Sequence, residues 1–218
     1  FEYPKSVREL INEKRHYAIG EEKLPSVTTI LSATQSQEKQ DSLARWKAKV
    51  GENEAERVKN TAGARGTKMH SILEGYIEGE NVLDLTETGG EAHRMANTII
   101  DQGFKDLDEI WGSEATLAYP GLYAGATDLV GIYQGRDSII DFKQSNKPKK
   151  VEWIEDYKLQ GAAYATAHDY MFKTSIEQIV ILMCTPDCFF QRFIINGKEF
   201  REYKWKWIER VNKYYEQK

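Results

Sequence analysis

The sequence predicts an α/β protein of the α+β kind, with a central mixed β-sheet flanked by helices and an N-terminal helical cap or arch. Three observations carry this expectation. Helical periodicity dominates the first half of the 218-residue chain, three β-rich runs then follow one another at meander spacing, and a helix separates the third run from a fully apolar one. A meander is antiparallel, whereas a strand reached through a helical crossover pairs in parallel, so the sheet should be mixed.

Taken in order, Ser6 to Lys14 reads as a short amphipathic helix, and Ser26 reads as the cap of a segment starting at Val27. Asp41 to Val50 carries Leu43, Trp46 and Val50 at helical spacing, and a longer helix runs from about Glu52 to Ile77 with Met69, Ile72, Leu73 and Tyr76 on one stripe. Gly63 and Gly66 are expected to break it, and Gly89-Gly90 to mark a boundary before a helix over Ala92 to Ile110. The strands are Ala115 to Tyr119, Tyr123 to Tyr133 and Ser138 to Phe142. A helix over Asp156 to Met171, strands at Gln178 to Met183 and Phe189 to Ile195, and a helix from Gly197 to Tyr215 complete the chain. The expected organisation is one domain over 1–218, with a helical cap or arch over 1–65, a core over 66–195 and a C-terminal helix over 197–218.

Composition excludes several classes. Forty per cent hydrophobic and 29% charged residues suit a water-soluble globular chain, and no apolar run approaches the 18 or more residues of a membrane span. The charged start, Phe1 to Leu10, lacks a signal-peptide apolar stretch, although position 1 is Phe and a targeting peptide removed earlier would leave no trace. Two cysteines, Cys184 and Cys188, are too few for a disulfide scaffold or a four-thiolate cluster. A formal net charge of −4, from 34 acidic and 30 basic residues, argues at first against a surface coated for nucleic acid.

The chemistry lies in a set of spaced polar residues. Asp128 and Asp141 fall on consecutive strands joined by a Gly-containing turn, so a hairpin can bring the two carboxylates together. Lys143 lies two positions beyond Asp141 and shares its face, while Phe142 points the other way. Carboxylates with a neighbouring lysine suit a hard divalent cation and a developing phosphoryl charge, though Asp-x-Lys is also the pattern of a surface ion pair. His70 and Glu74 stand at i and i+4, as do Gln160 and Tyr164, and Glu114 opens the first strand.

Gly66-x3-His70, Glu114, Gly125-x2-Asp128, Asp141-x-Lys143 and Gln160-x3-Tyr164, in this order and with these helix and strand contexts, resemble the RecB-like branch of the PD-(D/E)xK nucleases. Pro25-Ser26-Val27-Thr28-Thr29-Ile30-Leu31, Arg45-Trp46-Lys47 and Ser145-x-Lys147-Pro148-Lys149 are similar to the mitochondrial genome maintenance exonuclease group and its phage and bacterial relatives. The resemblance implies a restriction-endonuclease-like core and a metal site formed by His70, Glu114, Asp128, Asp141 and the Phe142 carbonyl. It also implies Lys143 as the catalytic lysine and Mg²⁺ or Mn²⁺ as cofactor. Gln160 and Tyr164 would border the nucleic acid. Ser145, Lys147, Lys149, Lys150, Arg65, Lys68, Arg45 and Trp46 are the expected further contacts to it. Without four cysteines, the iron–sulfur subtype is excluded.

The implied function is a DNA exonuclease acting on single strands with a free end, in phage or bacterial replication, recombination or maintenance. The alternatives are a structure- or flap-specific endonuclease on the same fold and a non-catalytic nucleic-acid-binding module. A monomer with no membrane association is expected, in bacterial or phage-infected cytoplasm, or in the mitochondrial matrix if a transit peptide has been removed. On this reading several carboxylates belong to a metal site, and the grouping of basic residues around His70 and Lys143 matters more than the net charge.

Overall fold

The computed structural model describes residues 1–217. It starts with a three-stranded antiparallel sheet, β1 (Val7–Ile11), β2 (Lys14–Ile19) and β3 (Glu22–Pro25), followed by α1 (Val27–Ala33), α2 (Gln37–Val50), α3 (Glu52–Glu78) and α4 (Glu87–Gly103). The second sheet holds β4 (Leu107–Tyr119), β5 (Tyr123–Tyr133), β6 (Arg136–Gln144), β7 (Gln178–Cys184) and β8 (Phe190–Asn196) in that spatial order. Helix α5 (Glu155–Phe172) is the crossover between β6 and β7, and α6 (Gly197–Glu216) follows β8; position 218 of the expected C-terminal helix lies outside the described residues. As expected, β6 and β7 pair in parallel and every other neighbouring pair is antiparallel.

The sheet is covered on both faces, so its central strands are apolar throughout rather than alternating. All seven residues of β7 are buried: Ile179, Ile181 and Met183 pack with α1, α5 and α6, and Val180, Leu182 and Cys184 pack with α3 and α4. Helix α5 comes close because it presents Gly161, Ala162, Ala163, Ala165 and Ala167; a Cβ at Gly161 would lie 2.5 Å from Ile179.

Several sequence expectations are corrected. The Ser6–Lys14 helix is instead the β1–β2 hairpin. Its two-residue turn, Asn12-Glu13, has positive φ at both positions, which matches the twist of the strands it joins. The cap over 1–65 is therefore a small sheet followed by helices. Helix α3 runs unbroken through Gly63 and Gly66, because its buried Met69, Ile72 and Leu73 stripe against α4 outweighs about 1 kcal/mol per glycine. Gly89-Gly90 lies inside α4, capped by Thr86, whose hydroxyl accepts from the Gly89 N–H at 3.0 Å. That helix stops at Gly103, and β4 takes Leu107 to Ile110.

One irregularity positions everything below. The β5–β6 ladder ends at Leu129↔Ile140, while β5 stays paired with β4 to the hairpin and β6 stays paired with β7 to Gln144↔Cys184. The two strands splay apart just where Asp128 and Asp141 follow, opening a cleft in the sheet.

Candidate active site

Where the ladder stops, the Phe142 N–H has lost its cross-strand acceptor, and Asp128 replaces it: Oδ2 accepts from Phe142 N at 2.7 Å. Asp128 Oδ1 lies 3.0 Å from His70 Nδ1, which arrives from α3. Glu114 stands opposite Asp128 on β4, between the pairs Ser113↔Leu129 and Ala115↔Thr127, with a φ of 46°. A left-handed residue inside a strand is a strained choice, costing about 1–3 kcal/mol. It occurs at the β4 position whose carboxylate joins the cluster: ligand atoms of His70, Glu114 and Asp128 all lie within 4.8 Å of one another.

Asp141 and Lys143 project into the same cleft from β6. Lys143 Nζ lies 2.8 Å from Asp141 Oδ2, donates to Gln160 Oε1 at 2.8 Å, and sits 4.8 Å from the centre of the Tyr157 ring. Gln160 in turn donates to the Tyr164 hydroxyl at 3.2 Å, so the i, i+4 pair on α5 forms a relay to the lysine. Gly125 completes the arrangement: a Cβ there would stand 2.7 Å from Tyr164 Cε1, so the ring can lie against β5 only because that position has no side chain.

The charges are asymmetric. Burial alone would raise Asp128, but the charge and hydrogen bond of His70, with help from Asp141 and Lys143, hold it well below the usual carboxylate range. Asp141 moves up, mainly through burial and with the Asp128 charge adding, against the pull of Lys143. Burial works against the charged forms of His70 and Lys143, yet the carboxylates beside them raise both. Glu114 keeps an exposed flank, but its enclosed head group, together with the Asp128 and Glu74 charges, is pushed up to about 7.

A divalent cation fits this donor set. One imidazole and several carboxylate oxygens suit a hard or borderline metal. Asp141 adds a buried carboxylate at the edge of this set, its Oδ2 held 2.8 Å from Lys143 Nζ.

The remaining expected residues lie farther out. Arg65 is nearly buried and engages Glu91 at 2.6 Å, Gln144 and Asn146; Lys68 pairs with Asp84. The Ser145 hydroxyl donates to the Lys147 carbonyl at 2.6 Å and shapes the loop after β6. Lys149 is tied through its backbone to Gln191, and Lys150 lies over the Trp153 ring. Arg45 and Trp46 belong to α2, a helix with no buried residue. Sequence reasoning missed Tyr157 under Lys143. It also missed Arg8, Arg15 and Tyr17, which line the same 220 Å³ cavity as Asp128 and Asp141. The signal for the latter was the Asn12 turn followed eight positions later by Gly20, a spacing that suits two short hairpins better than a helix.

No protein-family profile matches the chain. It is 28% identical over 204 residues to mitochondrial genome maintenance exonuclease 1 of Mus musculus and 27% identical over 205 residues to that of Homo sapiens, alignments covering 88% and 89% of this chain. The chain spans 59% of the length of each of these relatives. A solved structure from Eubacterium rectale, named as a candidate exonuclease, superposes with a TM-score of 0.50 at 14% identity, over 67% of this chain and 63% of that one, and so shares the fold. In sequence the chain is thus similar to the genome maintenance exonucleases, and in fold to the Eubacterium rectale structure.

Proposed function

We propose that the chain is a divalent-metal-dependent DNA exonuclease that hydrolyses phosphodiester bonds from the free ends of single strands. The observation that carries this reading is the placement of the His70, Glu114 and Asp128 donors beside the Asp141–Lys143 pair in one sheet cleft. His70, Glu114, Asp128 and Asp141 Oδ2 would hold Mg²⁺ or Mn²⁺. The Phe142 carbonyl joins them, since a strand residue's N–H and C=O leave on the same edge and its N–H already meets Asp128. When bound, such a cation supplies Lewis acidity at the phosphoryl oxygen and makes its bound water acidic enough to attack near neutral pH.

The protein's own groups do the rest. Lys143, kept as an ammonium by Asp141, stabilises charge on the phosphoryl oxygens rather than removing a proton from water. Gln160 and Tyr157 fix its direction, and Tyr164 fixes Gln160. Lys147, Lys149, Lys150 and the α2 residues Arg45 and Trp46 are proposed contacts to the strand beyond the cleft, through phosphate attraction and base stacking. The relatives' names support an exonuclease of genome maintenance and fit the mitochondrial option; we propose DNA as the substrate, a bacterial or phage setting as the other option, and a monomer as the acting form. No helix among the described residues is long and apolar enough to cross a membrane.

The test is cleavage of end-labelled single-stranded DNA with Mg²⁺ or Mn²⁺. Asp141→Asn and Lys143→Ala should each lower the rate by at least about a hundredfold, the scale of losing an electrostatic group at a reacting centre, with the fold retained. Full activity in either variant sinks the site assignment. Closed single-stranded circles should resist; their rapid cutting would replace the exonuclease reading with an endonuclease one, and absence of cleavage under all metals would leave a binding module. Comparing 5′ and 3′ labels reads the polarity.

A further inference from the structure

We propose that Arg8 and Arg15, on the N-terminal sheet, form a phosphate-binding subsite on the wall of the catalytic cleft, taking a phosphate of the same nucleic-acid strand. The identity of the strand rests on the nuclease reading above; the subsite itself rests on three observations. Both arginines line the cavity that holds Asp128, Asp141 and Lys143. In the β1–β2 register Arg8 stands opposite Tyr17 and Leu10 opposite Arg15, so the two arginines are diagonal neighbours on one face of the hairpin. Diagonal positions are about 7–8 Å apart, a span that two guanidinium arms can close on a single phosphate. Neither guanidinium has a hydrogen-bond or ion-pair partner among the described residues, in contrast to Arg57, Arg65, Arg192 and Arg210.

The wall is also fixed in place. The Arg15 carbonyl accepts from Ser26 N at 3.0 Å and from the Thr29 hydroxyl at 2.8 Å, and Ser26 bridges to Ala124 on β5, four residues before Asp128. Tyr17 and Leu24 pack on Ala118 and Ala124, which seals the small sheet against the β4–β5 hairpin. Glu114, Asp128 and Asp141 repel a polyanion on one side of the cavity, and paired guanidiniums, whose forks match phosphate oxygens, supply the attraction on the other. An exposed, unpaired arginine pair aimed into an acidic cleft has no structural task to explain it.

The experiment uses the full chain in an Asp141→Asn background without divalent metal, so that nothing is cleaved, and follows anisotropy of a short labelled oligothymidylate across a salt series. Arg8→Gln with Arg15→Gln should weaken binding about tenfold and flatten the slope of log affinity against log salt by about 0.7, the value for one phosphate contact on a single strand. The melting temperature should not change, since both side chains are exposed; should it fall, Arg8→Lys with Arg15→Lys keeps the charge, removes the fork and is expected to give a smaller loss of the same kind. Oligonucleotides with a 5′-phosphate and a 5′-hydroxyl separate the two sources of the group. A loss confined to the phosphorylated strand marks a terminal monoester, and an equal loss on both marks an internal diester. Unchanged affinity and slope in the double variant, or no binding by the parent, overturns the subsite. Wild-type cleavage is scored separately: cleavage with arginine-independent binding removes only the subsite, and arginine-dependent binding without cleavage removes only the nuclease reading.

Discussion

Gly125 offers the sharpest check on how the site is assembled. Its φ lies outside the left-handed region, so alanine is conformationally acceptable there and only space is at issue. The added Cβ would meet Tyr164 Cε1 at 2.7 Å and the hydroxyl oxygen at 3.1 Å, and Tyr164 is a buried ring whose one open direction is the catalytic cleft that it lines. Overpacking of this kind costs about 1–3 kcal/mol, which for a chain of this size lowers the melting temperature by about 2–4 °C per kcal/mol. The strain should also travel. A displaced Tyr164 withdraws the hydroxyl that accepts from Gln160, and Gln160 holds Lys143. Gly125→Ala should therefore lower the cleavage rate more than its stability loss implies at temperatures where the protein remains folded. A double-mutant cycle with Tyr164→Leu, read by urea unfolding, isolates the contact: with the ring gone the alanine should cost at least about 1 kcal/mol less. An equal cost in both backgrounds refutes the argument.

Acid should destabilise the protein through His168, which is buried with Tyr3 Oη at 3.1 Å and Thr174 Oγ1 at 2.7 Å and which burial pushes down to about 4. The unfolded chain binds the proton first, so stability falls as pH drops from about 6.5 to 4, by on the order of 1–3 kcal/mol; urea melts should show a shallower pH dependence in His168→Phe than in wild type over that window. Ser26→Ala removes the α1 cap, in which Oγ accepts from Thr29 N at 3.0 Å, and should cost about 1 kcal/mol in the same assay; no loss would mean that the cap is dispensable. Asp128→Ala should destabilise by about 1–3 kcal/mol because the Phe142 N–H loses its acceptor, whereas Asp128→Asn, able to keep an oxygen there, should cost less while still abolishing cleavage. Equal melting of the two variants would show that the backbone group finds another partner.

The second half of the chain was readable because its elements repeat their own period. Asp141 and Lys143, two apart on an apolar strand, had to share a face, and Gln160 and Tyr164, four apart on an alanine-rich helix, had to stack; the contacts follow from those spacings. The N-terminal sheet was not readable in the same way. Val7, Leu10 and Ile11 imitate a helical stripe, yet Val7 and Leu10 are exposed, and what holds the hairpin is distant: Tyr17 and Leu24 against Ala118 and Ala124. Strand preference of that sort is set by tertiary packing more than by local propensity. The fates of Arg65 and Lys68 were hidden for a related reason. A basic residue two or five positions from a site histidine looks free in sequence, and only the packing of α3 on α4 and its connecting loop brings Glu91 and Asp84 within reach.

The splay of β5 from β6 ties these features to a single cause. Ending the ladder at Leu129↔Ile140 leaves the Phe142 N–H without a partner, which gives Asp128 a structural duty that also fixes its free oxygen toward His70. The same gap lets Lys143 reach across to Gln160 on α5. It also leaves the far half of β5 with an open edge, and Ser26 occupies that edge through its bridge to Ala124, carrying Arg15 with it. The acidic side of the cleft and the arginine wall are thus both anchored on β5, within a few residues of each other. On the proposed reading, an acidic protein would in this way set a cation and a phosphate side by side: Asp128 lies on β5 itself, and Arg15 is tied to the same strand through Ser26, so local placement of charge counts for more than the net −4 of the chain.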